Sequence, residues 1–386
     1  MVLSKTMETQ HKIKIVFGVN DFLVGGMQRQ FSEQIGHFNR EKFDITLITL
    51  FEFPEKENFY AALPADLPVY RFAFKGWWDF HQWLDLYRLL RIIKPHIVVS
   101  SLFFGNTVFR LLRPFFGYTS IAREHNTYIH KSCGQQLIDR FLSLFSYRII
   151  AVSKTVATFT TAQEHISPEK FVVIHNGIDL VQAQNILIHL PQKEVIRQEL
   201  GFASAETVFL NVARLTSQKN HQILIEGFAR FHEKNPKALL VIVGDGSLRL
   251  ILEKKVRNLG LVDSVLFFGM RSDVWRFYKA ADALISVSMI EGFSNVYLEA
   301  LVAGLPIVST LTAGTDEFLV DGYNGYIVDE QTIEGVNRAL ERIDISKLEE
   351  LKKHASETAE RFSIQRAVSA YERLFEEAIK NSHHVL

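Results

Sequence analysis

A single cysteine, Cys133, leaves this 386-residue chain no internal disulfide. The fold therefore rests on its apolar core, and a reducing compartment suits it. Charge of one sign is missing too. The 43 Lys and Arg match the 43 Asp and Glu, which excludes bulk binding to nucleic acid. No apolar run approaches the roughly 18 residues of a membrane-spanning helix. Met1–Gln10 is polar and the first apolar run, Ile13–Val19, is too short for a secretory signal, so a cytoplasmic protein is expected. No Gly-x-x-x-x-Gly-Lys-Ser/Thr stretch supports P-loop chemistry. With no Asp-x-Asp and no Cys/His cluster, no metal site and no cofactor are expected.

What the chain does have is apolar material, 47% of its residues, and length for two domains. Short apolar runs alternate with helical patterns, the βαβ signature of parallel sheets. In the first half the predicted strands are Ile13–Val19, Asp44–Leu50, Val69–Ala73, His96–Ser100, Thr119–Arg123, Arg148–Val152 and Val172–His175. Helical patterns cover Gln28–Phe38, Phe80–Ile93 and Gln135–Phe145. After a turn-rich break at His175-Asn-Gly-Ile-Asp179, a second series covers Val208–Ala213, Leu239–Gly244, Val265–Phe268, Ala283–Ser288, Pro306–Thr310 and Gly325–Val328. The halves read as two copies of one architecture, with domains at 1–178 and 179–362 and a closing helical segment, 363–386.

The most informative stretch is Glu291-Gly-Phe-Ser-Asn-Val-Tyr-Leu-Glu299. It leads from a strand into a helix predicted over Val296–Ala303, ended by Gly304 and Pro306. Glu291 then sits at a strand's carboxyl end, where open α/β sheets bind nucleotides, and Glu299 about a turn into the helix. The helix N-terminus suits a phosphate, and carboxylates beside it can accept bonds from sugar or ribose hydroxyls. By themselves two glutamates at this spacing are a loop acid and a solvated helix acid; their context lends the pair weight.

Arg214 follows the strand Val208–Ala213, with Lys219 five residues on. Fixed cations there would stabilise a departing diphosphate as its charge grows. Two solvated loop cations are the alternative. Gly244-Asp-Gly-Ser247 also follows a strand, but Arg249 stands where a dinucleotide fingerprint needs glycine, so that reading is rejected. Gly25-Gly26 follows the first strand and opens a helix, allowing a backbone to approach a ligand, although a plain turn would look the same. His125 lies just after a strand, and a lone histidine is more often structural.

Together these elements resemble the retaining glycosyltransferases of the two-Rossmann-domain type (GT-B), family 4. The resemblance spans nearly the whole chain. It rests on Gly25-Gly26, Glu124-His125-Asn126, Ala151-Val-Ser-Lys154, His175-Asn-Gly-Ile-Asp179, Val212-Ala-Arg-Leu215 with Lys219-Asn220, Gly244-Asp-Gly246, and Glu291-Gly-Phe-Ser-Asn-Val296 through Glu299-Ala300. Gly304-x-Pro306 and Asp321-Gly-Tyr-Asn-Gly-Tyr326 continue it.

The resemblance implies an α/β fold of two Rossmann-like, doubly wound domains facing a central cleft, with a C-terminal helix crossing back to the first. It implies a nucleotide-sugar donor, UDP preferred, held mainly by the second domain. Arg214 and Lys219 would neutralise the diphosphate, Glu291 would contact the donor sugar, and Glu299 the ribose. The backbone of Gly292, Phe293, Ser294, Asn295 and Val296 would meet sugar and phosphates. Gly269, Met270 and Arg271 would border the base. His125 matches the family's histidine near the anomeric carbon, and Gly25 and Gly26 would admit the donor phosphates on closure about a hinge near Asn176–Gly177. Attack on the retained face, with the leaving phosphate helping to deprotonate the acceptor, would need neither a metal nor a separate base.

The acceptor implied is a glycan or a polyprenyl-diphosphate-linked sugar, with no nucleic-acid partner. Between Leu67 and Ile150 there are eleven Lys and Arg against four Asp and Glu, together with Trp77, Trp78, Trp83, Leu102-Phe-Phe104 and Phe115-Phe116. Exposed, these residues would suit the inner face of an anionic membrane; buried, the aromatics are core. Two rival functions share the fold, a nucleotide-sugar epimerase or hydrolase and a non-catalytic sugar-nucleotide-binding subunit.

Overall fold

The computed structural model describes residues 12–202, 205 and 207–382. The polar start Met1–Gln10 and the His383-His384 pair lie outside the described residues. The chain divides into two compact units. The first runs to Val152 and takes in Ala157–Ile174 and everything from Ala367; the second holds Ser153–Val156 and His175–Arg366.

Among the described residues the first unit has one sheet of seven strands: β1 (Ile13–Val19), β2 (Phe43–Thr49), β3 (Val69–Arg71), β4 (Ile97–Ser101), β5 (Thr119–Glu124), β6 (Ser146–Ala151) and β7 (Phe171–Val173). The order is β3-β2-β1-β4-β5-β6-β7, and the pairings are parallel. Parallel strands covered on both faces must be apolar throughout, and the last five residues of β1 and all five of β4 are buried. One face packs Val16, Ile48 and Val98 against Leu86, Leu90, Val108 and Phe109. On the other, Phe17 and Phe38 meet Phe375 of the last helix, Ile364–Ser382, at ring-centroid distances of 6.3 and 6.0 Å.

The second unit repeats the plan with six strands: β8 (Thr207–Val212), β9 (Ala238–Val243), β10 (Val265–Phe267), β11 (Ala283–Ser286), β12 (Ile307–Thr310) and β13 (Gly325–Val328). Their order is β10-β9-β8-β11-β12-β13, again parallel. Phe209, Ile242, Ile285 and Val308 form its core with Leu224, Phe228 and Leu340. The two doubly wound, Rossmann-like sheets answer to the two alternating series in the sequence. The units part between Ile174 and His175, just before the turn-rich break. Ser153–Val156 joins the second unit because the Lys154 N–H donates to Glu317 and the Thr155 hydroxyl to Asp316.

Candidate active site

In the second unit the strand order reverses between β8 and β11, the topological switch point at whose carboxyl edge such sheets hold ligands. The loops leaving these two strands are fastened together. The Met289 N–H donates to the Gln218 carbonyl at 2.9 Å, and the Gln218 side-chain amide donates to the Ile290 carbonyl at 2.6 Å. Across this seam the Lys219 ammonium pairs with the Glu291 carboxylate. Their side chains are only 20% and 12% exposed, so water screens the pair less than it would a surface bridge. Arg214 lies exposed on the same loop, just past β8. Behind Lys219, His221 is buried, and its Nε2–H donates to Asn211 Oδ1 at 3.0 Å. Burial, then the neighbouring lysine, lowers its imidazole to about 4, so it adds no charge at neutral pH.

The loop after β11 enters the helix Asn295–Val302 through Ser294, whose side chain makes no capping bond. The helix N-terminus, with its partial positive charge, is therefore not covered by its own cap residue. Asn176 holds the entry: its amide donates to the Phe293 carbonyl at 2.7 Å and to Asn295 Oδ1 at 3.2 Å. Phe293 is buried against His175, Phe318 and Phe362. Gly292 is fixed by contact with Gly314, where an added Cβ would lie 2.6 Å from the Gly292 carbonyl oxygen. Val296 follows in the first helical turn, and Glu299 one turn later is buried, accepting the Tyr278 hydroxyl at 2.6 Å.

The neighbouring loops lock on by backbone contact. Gly244 follows β9 with φ +134°, and a Cβ there would lie 2.0 Å from the Ala213 carbonyl oxygen. At Gly246 the clash would be with the Leu215 carbonyl, at 2.5 Å. Gly244 N–H donates to the Gly269 carbonyl at 2.7 Å, which ties the loop after β10 to the same edge. Met270 is 64% exposed there, and Arg271 grips Asp273 with two bonds of 2.7 Å.

In the first unit the order reverses between β1 and β4. Gly25 precedes the helix Gly26–Ile35, and nothing lies within 4 Å of where a Gly26 Cβ would stand. Neither glycine adopts the left-handed region. A side chain at Gly26 would enter open space, whereas a Cβ at Gly25 would lie 2.6 Å from Gln28 Oε1. His125 follows β5 with its Nε2 3.4 Å from the Ser101 hydroxyl. Burial, then the charge of Arg123, holds the imidazole well below its usual pKa and keeps it neutral. Beneath it, Lys131 reaches Asp139 at 2.9 Å, Glu124 at 3.7 Å and Glu164, while Arg110 pairs with Asp139. Burial raises the Glu164 carboxyl to about 7.

Sequence reasoning thus placed Arg214, Lys219, Glu291, Gly292–Val296 and Glu299 at one sheet edge, and Gly25, Gly26 and His125 at the corresponding edge of the other unit. It passed over Gln218, Tyr278 and Asn176 as positioning groups. In the sequence Asn176 reads only as part of a turn-rich motif and of a hinge, with no partner. Among the described residues no group of three or more His, Cys, Asp or Glu is arranged to hold a metal ion.

The model of the glycosyl transferases group 1 matches residues 192–362, and that of glycosyltransferase family 4 matches 24–182. The chain belongs to the group 1, family 4 glycosyltransferases. This group 1 glycosyltransferase is 31% identical to the Vi polysaccharide biosynthesis protein VipC/TviE of Salmonella typhi over 169 residues. That match covers 44% of this chain and spans only 29% of the Salmonella protein. A UDP-Gal:alpha-D-GlcNAc-diphosphoundecaprenol alpha-1,3-galactosyltransferase of Escherichia coli is 25% identical, covering 88% of this chain and 90% of its own. Among solved structures, Anabaena HepE in complex with UDP superposes with a TM-score of 0.80 at 20% identity, covering 95% of this chain and all of that one. The likeness bears out the GT-B fold expected of a group 1 glycosyltransferase.

Proposed function

We propose that this protein moves a sugar from a nucleotide-sugar donor, with uridine the preferred base, to a glycan or polyprenyl-diphosphate-linked acceptor. In this reading it keeps the anomeric configuration and needs no metal. The observation that carries the reading is the Lys219–Glu291 pair, a cation and a carboxylate joined across the switch point beside a helix N-terminus. The bond that breaks joins the anomeric carbon to a diphosphate oxygen. Charge grows on that oxygen, where Arg214, Lys219 and the helix end stabilise it more than they do the bound donor. The acceptor hydroxyl adds to the same face, and its proton passes to the leaving phosphate. Glu291 accepts a sugar hydroxyl and Glu299 the ribose hydroxyls. His125, held neutral, serves as a hydrogen-bonding group near the anomeric carbon. Support for the uridine base comes from the Anabaena structure with UDP and the UDP-galactose-dependent E. coli relative.

A lipid-linked acceptor gains support from the helix Cys133–Leu142, which exposes Leu137 and Phe141 beside Arg140, with Leu144 just beyond it also exposed. Glu124 and Asp139, the only carboxylates between residues 111 and 148, are both buried, so this surface is apolar and cationic. Trp78 and Phe115 are exposed too, whereas Phe104 is core. No helix among the described residues is long and apolar enough to cross a membrane.

The test is a thermal-shift screen without added metal, using UDP, GDP and ADP and their sugar conjugates. It is followed by transfer to polyprenyl-diphosphate-linked sugars, with the product's anomer read by NMR. Selective stabilisation by uridine nucleotides is expected. No shift with any nucleotide at saturation defeats the reading, and turnover of donor without acceptor favours a hydrolase or epimerase.

A further inference from the structure

The first unit carries a cavity of about 220 Å³ at the carboxyl ends of β1, β2 and β3. It is lined by Asp21, Glu52, Phe53, Asn58, Tyr60 and Arg71, among others. Typical small-molecule pockets occupy roughly 300–1,000 Å³, so this one has room for a single ring and not for a nucleotide. Its wall is ordered by its own bonds. Arg71 lies 3.2 Å from the Glu52 carboxylate, and its guanidinium stands 5.1 Å over the Tyr60 ring. The Tyr60 hydroxyl bonds Thr49 Oγ1 at 3.0 Å. Asp21 Oδ1 accepts the Leu23 N–H and the Gln28 amide at 3.2 and 3.3 Å, which leaves Oδ2 to accept from a ligand. The lining sets two carboxylates against one guanidinium, so it repels a phosphate and suits hydroxyl donors. Phe53, 40% exposed, offers the apolar face on which a sugar's C–H face can rest.

The cavity is also tied to the loop that ends at Gly25-Gly26. Leu23 and Asn58 form an antiparallel bridge, the Phe59 N–H donates to the Phe22 carbonyl at 3.0 Å, and the Val24 N–H to the Glu57 carbonyl at 3.1 Å. We propose that this cavity is the subsite for one uncharged pyranose ring, the sugar of the acceptor that receives the transfer. The inference rests on the transferase reading above. It adds that the acceptor is recognised at its sugar end by Glu52, Asp21, Arg71 and Phe53, with any acceptor diphosphate bound elsewhere.

The experiment is saturation-transfer NMR on the full chain with methyl glycosides of glucose, galactose, mannose and N-acetylglucosamine, with UDP titrated into the same samples. At least one glycoside should receive saturation. Glu52→Gln and Phe53→Ala should each weaken its binding roughly three- to tenfold, the loss of one contact of ordinary strength, while UDP affinity stays unchanged. Phe53 is exposed enough that its truncation leaves the fold intact, which keeps the test decisive if Glu52→Gln unsettles Arg71. Glycoside binding that survives both substitutions, or no glycoside binding beside normal UDP binding, overturns the subsite and leaves the transferase reading standing. Glycoside binding that responds to the variants in a protein blind to every nucleotide keeps the cavity and removes the transferase reading.

Discussion

The two units use the same sheet plan but handle charge in opposite ways. In the second, Lys219 and Glu291 meet at the carboxyl edge itself, both partly exposed. In the first, five charged side chains lie beneath the edge, with Lys131 ringed by Glu124, Asp139 and Glu164, and Arg110 against Asp139. Under the transferase reading, this partly exposed pair would give up its mutual contact for a diphosphate and a sugar hydroxyl, each charge regaining a partner. The buried cluster has no such exchange available. Its Lys131–Glu124 contact joins the two ends of the loop that carries His125, and its charges become costly once one is removed. Under that reading the same chemistry would serve catalysis at one edge and rigidity beneath the other.

The comparison breaks most visibly at Lys131. Lys131→Met leaves three buried carboxylates with Arg110 alone, and should cost about 3–5 kcal/mol, read from the urea midpoint of unfolding. A loss below that range would mean that the cluster is hydrated and does not anchor the loop. Lys219→Ala should act on the other side of the contrast. We expect a drop in kcat of about 10²–10³ with a melting temperature close to normal. Near-normal turnover in the folded variant would remove Lys219 from the diphosphate site.

Glu299→Ala should weaken free nucleoside diphosphate by roughly tenfold or more, the size of a lost hydrogen bond to a charged group, as measured by calorimetry. Tyr278→Phe, which removes a donor to Glu299, should show a smaller loss in the same direction. Unchanged affinity in both would place the ribose elsewhere.

The pH dependence sharpens the contrast further. Glu164 has its carboxyl raised by burial to about 7 from 4.5, so the folded state holds a proton that the unfolded state has released. Its contribution is fully present below 4.5 and is lost as the pH rises through about 7. Glu164→Gln should therefore flatten the fall in stability across that window relative to wild type. Parallel pH profiles would show that the proton resides on another group of the cluster. The mildest effect is expected from Gln218→Ala, which removes one staple between the loops and should cost about 1 kcal/mol.

Much of the architecture was legible because parallel strands buried on both faces must be written as apolar runs. β1 and β13 fall where the hydrophobic pattern ends. Boundaries slipped where an apolar or small residue continues past the last ladder bond. Ala73 follows the short edge strand β3, and Ser288 lies beyond the end of β11. The helix after Glu291 starts at Asn295 rather than Val296. In the site, residue types that carry charge were legible, since Arg214, Lys219 and the two glutamates have a chemistry that their neighbourhood explains. Partnerships across the chain were not. Asn176 meets Phe293 across 117 positions, and His175 meets Glu317 across 142, at 2.6 Å. A neutral amide or a lone histidine carries no local mark of a partner that only the folded sheet brings near. The same holds for Ser153–Val156, whose place in the second unit is decided by Asp316 and Glu317.

The backbone contacts of Gly244 and Gly246 with the loop after β8, and that loop's seam with Met289 and Ile290, bear on how such an enzyme can be rebuilt. Someone transplanting donor preference from one relative to another would be tempted to swap a single loop. Here the three segments 213–220, 244–247 and 289–295 are a single graft. Moving one without the others would set a side chain against a carbonyl, or strip a carbonyl of its donor, before any new nucleotide had been tried.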